Sequence, residues 1–158
     1  MALSKLPQPV AIAPMGRDDV DAVMEVERLS FSAPWSREAI HEEMARAWAR
    51  IDVVRDAQGG QGAIVAFANY WLVADELHIL NIATHPLARR RGHATRLLAH
   101  MIEVARQIPC RLMTLEVRRS NAAAQRLYRR FAFRAVGVRP NYYAEDNEDA
   151  VVMLLELP

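Results

Sequence analysis

Residues 81–95 combine the features of an anion-binding turn. An apolar segment ends at Thr84, three consecutive arginines follow at 89–91, and a long segment with helical periodicity begins at Gly92. The first backbone N–H groups of a helix have no partner within it and lie at the positive end of its dipole. The guanidinium group of one arginine can donate hydrogen bonds to two phosphate oxygens at once. Small residues such as Gly92 and Ala94 let an anion approach the backbone. We therefore predict a strand, a turn and a helix that together hold a phosphate-like group.

Two further side chains could move protons. Glu116 lies in the otherwise apolar segment 112–117, and a carboxylate can accept a proton from a reacting group. Strand alternation places it on the face opposite Leu115 and Val117, so a solvent-facing glutamate is the alternative. Tyr128 lies on a predicted helix and carries a phenol, whose ordinary pKa of about 10 suits a proton donor. A buried aromatic core residue is the alternative for Tyr128.

Hydrophobic periodicity divides the chain into the elements that would position these residues. Short apolar or alternating runs predict strands at 10–13, 51–55, 63–73, 77–84, 112–117, 133–138 and 150–157. A glycine-rich turn is predicted at 56–62, and a polar loop with two tyrosines at 139–149. Apolar residues three and four apart predict four helices. They run from Asp18 towards Leu29, from Ser36 with Ile40, Met44, Ala47 and Trp48 on one face, from Gly92 to Ile108, and from Ser120 or Asn121 with Ala124, Leu127, Tyr128 and Phe131 inward.

The order of these elements predicts an α/β fold in a single domain spanning residues 1–158. The strands of the first half have hairpin-length connections, which favours antiparallel pairing. The strand at 112–117 follows a helix, so it is expected to lie parallel to 77–84 through a right-handed crossover. The expected architecture is a mixed sheet of about six to seven strands, flanked by about four helices.

Composition narrows the class of protein. The chain has 158 residues, of which 52% are hydrophobic and 25% charged, and a net charge of +1, as expected of a globular protein with a core. No apolar run approaches the roughly 20 residues that span a bilayer, and the prolines near the N-terminus argue against a signal peptide. The single Cys110 fits a reducing cytoplasm. His93 and His100 lack a third ligand at useful spacing, so no metal is predicted.

Several motifs resemble the GNAT acyltransferases. The turn Arg89-x-x-Gly92-x-Ala94 is similar to the Gln/Arg-x-x-Gly-x-Gly/Ala fingerprint of that family. Further similarity, in the family's order, lies in Pro34-Trp-Ser36, Asn81-Ile-Ala83, Leu115-Glu-Val-Arg118, Ser120-Asn-Ala-Ala-Ala-Gln-Arg-Leu-Tyr128 and Arg139-Pro-Asn-Tyr-Tyr143. The similarity covers nearly the whole chain. It is strongest to the GNAT subfamily that acetylates the N-terminal alanine of ribosomal proteins. The resemblance implies a sheet whose parallel central pair splays apart, and acetyl-CoA as cosubstrate.

The resemblance also implies roles for individual residues. The backbone of Ile82, Ala83 and Thr84 would pair with the pantetheine arm, and Asn121 would contact the cofactor or merely cap a helix. The pyrophosphate would be held by Arg89, Arg90, Arg91, Gly92, His93, Ala94 and Thr95. Glu116 would be the general base, because an α-amino group with a pKa of about 8 is mostly protonated at neutral pH. Tyr128 would be the general acid that protonates the departing thiolate.

The acceptor is less closely defined by the sequence. By resemblance, Trp35, Tyr142 and Tyr143 would line its site, and the acceptor would be a protein N-terminus, first of all an alanine-starting ribosomal protein, with no nucleic acid or membrane partner. Core packing is the equal alternative for Trp35. Other readings are a GNAT acting on lysine side chains or a small-molecule amine, and a non-catalytic acyl-CoA-binding module. The acidic residues of 145–149 would attract a basic terminus or simply be solvated.

One residue departs from the family pattern. Ala132 stands before Phe133 where relatives commonly have glycine. A glycine there would end the preceding helix in a left-handed conformation, which costs an alanine free energy. Whether the turn keeps this conformation is left open by the sequence.

Overall fold

The computed structural model describes residues 10–56 and 62–158, so most of the predicted glycine-rich turn and residues 1–9 lie outside the described part. In these residues there are seven strands and four α-helices. In chain order they are β1 (Ala11–Pro14), α1 (Val20–Ser30), α2 (Arg37–Ala45), β2 (Ala49–Asp56), β3 (Ala63–Val73), β4 (Glu76–Thr84), α3 (His93–Gln107), β5 (Leu112–Arg118), α4 (Ala122–Arg130), β6 (Arg134–Tyr143) and β7 (Glu148–Glu156).

The strands form one mixed sheet in the order β1-β2-β3-β4-β5-β7-β6. Strands β4 and β5 are parallel, as the intervening helix predicts, whereas β1 pairs antiparallel with β2, and β7 antiparallel with both β5 and β6. The predicted α/β class is thereby confirmed. Within the described ranges, no helix is long and apolar enough to cross a membrane.

The parallel ladder between β4 and β5 is short. It pairs residues 76–79 with 112–115, whereas β4 continues to Thr84 and β5 to Arg118. Beyond Leu115, β5 remains paired with β7 as far as Arg118. The backbone of β4 after Ile79 therefore has an edge that β5 does not cover, which is the splay expected of the central pair.

The described chain divides into two compact units, to which β3, β4 and α3 each contribute residues. The first unit comprises residues 10–46, 50–56, 62–68 and 82–97. Its core is a cluster of buried apolar side chains from α1, α2 and three strands, namely Val20, Val23, Val26, Ile40, Ile51, Val53, Ile64, Phe67 and Ala83. The second unit comprises residues 47–49, 69–81 and 98–158. Its largest buried side chains include Tyr70, Leu77, Ile79, Leu98, Met101, Met113, Leu115 and Met153.

Three sequence expectations were wrong at element boundaries. Helix α2 ends at Ala45, so Ala47 and Trp48 do not share its face, and Trp48 is 46% exposed. Helix α3 ends at Gln107, because Pro109 cannot continue it. Ile108 therefore follows the helix, and its side chain is exposed. Much of the segment 139–149 is strand rather than loop, since β6 pairs with β7 out to Tyr143.

Helix starts follow the predicted caps. The Ser36 Oγ accepts a hydrogen bond from the Ala39 N–H at 3.1 Å, and the Asn121 Oδ1 accepts one from the Ala124 N–H at 3.1 Å. Each cap satisfies one of the free N–H groups of the first helical turn. Because Asn121 fixes where α4 begins, it also fixes the register of Tyr128 on that helix.

Helix α4 ends in a left-handed turn at Ala132, whose φ is +70°. The Phe133 N–H donates to the Tyr128 carbonyl at 3.1 Å, and the Ala132 N–H donates to the Arg129 carbonyl at 3.0 Å. The rings of Tyr128 and Phe133 pack with centroids 5.8 Å apart. This is the Schellman arrangement with its usual apolar contact, so the helix keeps a left-handed end although the residue there is alanine.

We predict that Ala132→Gly stabilises the protein by about 0.5–1 kcal/mol. Relief of a left-handed alanine is worth roughly 1–2 kcal/mol, and the added freedom of the unfolded chain returns roughly 0.4–1 kcal/mol of it. Urea unfolding at equilibrium measures the change. The control is Ala99→Gly in the middle of α3, which should destabilise by about 1 kcal/mol. A loss of stability in Ala132→Gly would contradict the left-handed helix end.

Candidate active site

The turn that the sequence predicts to bind an anion lies in the first unit, between β4 and α3. His85 begins a short 3₁₀ turn over Pro86–Ala88, and its Nδ1 accepts a hydrogen bond from the Leu87 N–H at 3.1 Å. Arg90 and Gly92 have φ of +64° and +79°, both left-handed. A side chain at Gly92 would find ordinary van der Waals space, so the backbone conformation is what favours glycine there.

The first turn of α3 presents backbone donors next to this bend. The Arg96 N–H donates to the Gly92 carbonyl at 3.0 Å. The N–H groups of residues 92–95 precede that bond and, by helix geometry, have no acceptor within the helix. The Arg96 guanidinium donates to the Arg91 carbonyl at 2.8 Å and braces the bend. The side chains of residues 89–91 are exposed, so this end of α3 can hold a phosphate group.

His93 can serve such a site only through its backbone. Its side chain is 1% exposed, and its Nε2 lies 3.5 Å from the Asp56 Oδ2. Burial first, and then the Arg96 charge, lower the pKa of His93, whereas Asp56 acts in the opposite direction. The ring is therefore a neutral, buried support beneath the start of α3.

Trp35 also belongs to the first unit. Its side chain is half-buried and packs against the core of that unit, and its backbone N–H donates to the Glu27 Oε1 at 3.1 Å. Burial raises the pKa of Glu27, although this hydrogen bond opposes the shift. The core-packing alternative for Trp35 is thus realised, and a role as a substrate wall stays a prediction.

The second unit contains Glu116 with a histidine that the sequence analysis did not select. The Glu116 Oε2 lies 2.7 Å from the His78 Nε2, and its Oε1 lies 3.7 Å from the Arg139 Nη2. Burial is the largest influence and raises the pKa of Glu116, but His78 and then Arg139 together outweigh it and hold the pKa below its ordinary value. Glu116 is accordingly an ionised, partnered carboxylate and not the solvent-facing residue of the alternative reading.

Tyr128 is a buried phenol on α4 in the same unit. Burial, and then the neighbouring Tyr143, raise the pKa of Tyr128 to about 12. The side chain therefore keeps its proton throughout the neutral range. It can donate a hydrogen bond to an anion that develops beside it, and its ring contact with Phe133 fixes its position.

The paired tyrosines lie at the end of β6. Tyr142 and Tyr143 pack edge to face with centroids 5.1 Å apart. The guanidinium carbon of Arg118 lies 4.0 Å from the centre of the Tyr143 ring. The guanidinium carbon of Arg139 lies 5.7 Å from the centre of the Tyr142 ring. Tyr142 is exposed, so it is the partner of the two that a second molecule can contact.

Arg118 also neutralises the acidic turn that follows. Its guanidinium pairs with Glu145 at 2.7 Å, Asp146 at 2.7 Å and Glu148 at 3.1 Å. These pairs form because β5 and the β6–β7 turn bring the opposite charges together. The acidic turn is therefore held by an internal cation rather than left free in solvent.

The structure brings together only part of the predicted site. The second unit contains Glu116, Asn121, Tyr128, Tyr142 and Tyr143, and the first contains Trp35, residues 82–84 and residues 89–95. Sequence reasoning missed His78, Arg118 and Arg139. For His78 a signal existed, since the expected parallel pairing of 77–84 with 112–117 sets it beside Thr114, two residues before Glu116 on the same face. Across the described ranges, no three His, Cys, Asp or Glu side chains form a metal-binding group.

A mixed sheet with an interrupted parallel central pair, and a glycine-containing turn that opens a long helix, are the features that the sequence resemblance predicts. The chain belongs to the acetyltransferase (GNAT) family, whose sequence profile matches residues 20–133.

Several relatives are similar along their whole length. A Bacillus subtilis protein is 33% identical over 144 residues, which is 90% of this chain and 93% of the relative. The ribosomal protein bS18-alanine N-acetyltransferase of Salmonella typhimurium is 32% identical over 148 residues, 92% of this chain and 97% of that enzyme.

Solved structures agree with this fold. The crystal structure of the ribosomal-protein-S18-alanine N-acetyltransferase from Escherichia coli superimposes with a TM-score of 0.84 at 30% identity, covering 94% of each chain. Arabidopsis thaliana NAA60 in complex with acetyl-CoA has a TM-score of 0.85 at 19% identity, covering 94% of this chain and 100% of that one. At that identity NAA60 supports the fold alone.

We predict that Arg118→Gln lowers the melting temperature at pH 7 by about 2–4 °C, the shift that roughly 1 kcal/mol produces in a chain of this size. The variant loses three ion pairs and the cation over Tyr143. Ser120 first, and then Arg118, lower the pKa of Glu148. A lowered pKa stabilises the folded state above the unfolded value of about 4.5. That stabilisation is lost as pH falls below this value, so the difference in melting temperature between the variant and the wild type should shrink in acid.

Arg119→Gln is the matched control for this measurement. The Arg119 side chain is largely exposed and pairs with Asp149 only at 3.5 Å, so the melting temperature should change by about 1 °C or less. Equal effects of the two substitutions would contradict a special role of Arg118.

Proposed function

We propose that this protein, acting as one cytoplasmic domain, transfers the acetyl group of acetyl-CoA to the α-amino group of a protein N-terminus. The proposed acceptor begins with alanine, and ribosomal protein bS18 is the candidate that the names of its relatives suggest. The observation that carries the proposal is the end-to-end similarity to the Salmonella typhimurium enzyme, at 32% identity over 97% of that protein. The ionised Glu116 and the protonated Tyr128 supply side chains suited to this chemistry.

The proposed cofactor site uses backbone more than side chains. The N–H groups of residues 92–95 would receive the pyrophosphate, with the exposed arginines at 89–91 adding charge. The backbone of Ile82, Ala83 and Thr84, beyond the end of the β4–β5 ladder, would pair with the pantetheine arm. Asn121 would contact the cofactor through whatever hydrogen-bonding capacity its capping role leaves. No metal takes part in this proposal.

The proposed reaction needs one base and one acid. The attacking amine loses a proton, which Glu116 would accept directly or through a water. The thioester C–S bond then breaks, and the departing thiolate would receive a hydrogen bond and finally the proton of Tyr128. With its pKa raised to about 12, the Tyr128 phenol would donate late, as negative charge collects on sulfur.

The acceptor would approach the tyrosines at the end of β6. Tyr142 is exposed and could pack against the first residue of a peptide, while Tyr143 is held under Arg118. The carboxylates of the acidic turn already pair with Arg118. Because these carboxylates are already neutralised, we expect the protein to recognise the acceptor's amino terminus itself rather than attract a basic segment over a long range.

We predict that acetyl-CoA and the protein together acetylate a peptide with the bS18 N-terminal sequence. The products are identified by mass spectrometry with fragmentation. Two control peptides are matched to it, one with its α-amine blocked and an internal lysine free, and one with a bulky first residue. Modification should occur at the α-amine of the alanine peptide alone. Acetylation only of the lysine, or only of small amines such as polyamines, would favour the alternative GNAT activity, and acetyl-CoA binding without turnover would favour a non-catalytic module.

We expect Glu116→Gln to lower kcat/KM for that peptide by about 10²–10⁴-fold at pH 7, the usual contribution of a general base. Tyr128→Phe should lower kcat/KM by a similar factor without changing acetyl-CoA binding, because it removes only the hydroxyl. Steady-state kinetics from pH 6 to 9 measure both. If Glu116→Gln acetylates the peptide as fast as the wild type across that range, Glu116 is not the base.

A further inference from the structure

Glu148 lies where the β6–β7 hairpin meets the link between β5 and α4. It is the first residue of β7 and stands opposite Tyr143 in the hairpin. The pairing of β5 with β7 ends with Arg118 opposite Ala150. Continued for two residues, this antiparallel register brings Ser120 level with Glu148. One side chain therefore lies both beside the strand that carries the paired tyrosines and beside the segment that leads into α4.

The Glu148 carboxylate uses its two oxygens for two different segments. Its Oε2 accepts a hydrogen bond from the Ser120 N–H at 2.9 Å, and its Oε1 accepts one from the Arg118 Nη1 at 3.1 Å. The carboxylate is ionised at neutral pH, because Ser120 first, and then Arg118, lower the pKa of Glu148. Glu148 thus connects the backbone just before α4 to a side chain at the end of β5.

Helix α4 has a second connection to the end of β5. The Gln125 Nε2 donates to the carbonyls of Arg118 and Arg119, at 3.1 and 3.0 Å. Gln125 is buried, and it lies three residues, slightly less than one helical turn, before Tyr128. Together with the Asn121 cap, these bonds set where the helix begins and which way its side chains face.

The contacts return to Tyr128 through the paired tyrosines. Arg118, which Glu148 binds, covers the Tyr143 ring at 4.0 Å from guanidinium carbon to ring centre. The Tyr143 phenol in turn raises the pKa of Tyr128, second only to burial. Tyr142 packs edge to face on Tyr143 and is exposed. The side chain that an acceptor can contact is therefore linked to Tyr128 through Tyr143.

We propose that Glu148 is a positioning residue, which acts on the reaction through Tyr128. By joining the segment before α4 to Arg118, it fixes the helix that carries the acid relative to the tyrosines that would contact the acceptor. Glu148 takes up no proton in this scheme, and the proton given to the departing thiolate remains that of Tyr128. The inference rests on the proposed function and names the residue that couples its acceptor side to its acid.

A double-mutant cycle tests whether Glu148 acts through Tyr128. With acetyl-CoA saturating, kcat for the alanine peptide is measured for Glu148→Ala, for Tyr128→Phe and for the double variant. We expect Glu148→Ala to lower kcat by about 10-fold, because a misplacement of about 1 Å in a reacting group costs up to roughly 10²-fold. In the Tyr128→Phe background no acid is left to misplace, so the same substitution should change kcat by about 2-fold or less.

A merely structural role of Glu148 predicts a different pattern. Lost stability lowers the melting temperature, but any effect on kcat is then the same factor in both backgrounds. Equal factors therefore overturn the inference. A Tyr128→Phe variant as fast as the wild type also overturns it, since Tyr128 would not be the acid. If Glu148→Ala is unfolded at the assay temperature, Glu148→Gln replaces it in the same cycle. Glutamine keeps an acceptor for the Ser120 N–H but lacks the charge that binds Arg118.

Glu145→Gln is the matched control. The Glu145 side chain pairs with Arg118 at 2.7 Å, and within the described part of the chain it makes no other polar contact. Its loss removes a carboxylate from the same arginine but no bond at the start of α4, so kcat should stay within about 2-fold of the wild type. A fall as large as that of Glu148→Ala would overturn the inference, because the charge of the turn alone would then matter. Failure of the wild-type protein to acetylate any peptide would instead overturn the proposed function, and this inference with it.

Discussion

The early end of pairing between β4 and β5 is the constraint on which the rest of this protein depends. A strand edge needs hydrogen-bonding partners, and the ladder supplies them only for residues 76–79 of β4. Strand β5 pairs with β7 on its other edge, and that pairing continues to Arg118. The edge left on β4 is the feature that an extended ligand arm could complete, and it immediately precedes the turn that leads into α3.

The second unit is organised by opposite charges on neighbouring strands. Arg118 binds three carboxylates of the β6–β7 turn and covers the Tyr143 ring, while His78 and Arg139 surround Glu116. These contacts leave the tyrosines and Glu116 fixed before any ligand arrives. Fixed groups need no reorganisation when charge develops in a reaction, which is the main way that proteins lower such barriers.

Helix ends position the remaining candidates, and here local sequence was informative. Ser36 and Asn121 cap α2 and α4 as their side chains predict, because a short polar side chain can accept a free N–H of the first turn. Ala132 adopts the left-handed conformation expected where glycine is common. Such rules involve residues within a single turn of one another, so they can be read directly from the chain.

By itself, the sequence determined the mixed α/β class, the order of the elements, the glycine-containing turn before α3, and the helix that carries Tyr128. These follow from periodicity, capping and backbone preference, which depend on neighbours in the chain. Only the tertiary structure decided that β6 extends to Tyr143, that Arg118 neutralises the acidic turn, and that His78 meets Glu116. Arg118 lies 27 to 30 residues from its carboxylate partners, and His78 lies 38 residues from Glu116. The extension of β6 depends on its register with β7. The free energy of such contacts depends on strand register and burial, which exist only once the sheet has formed.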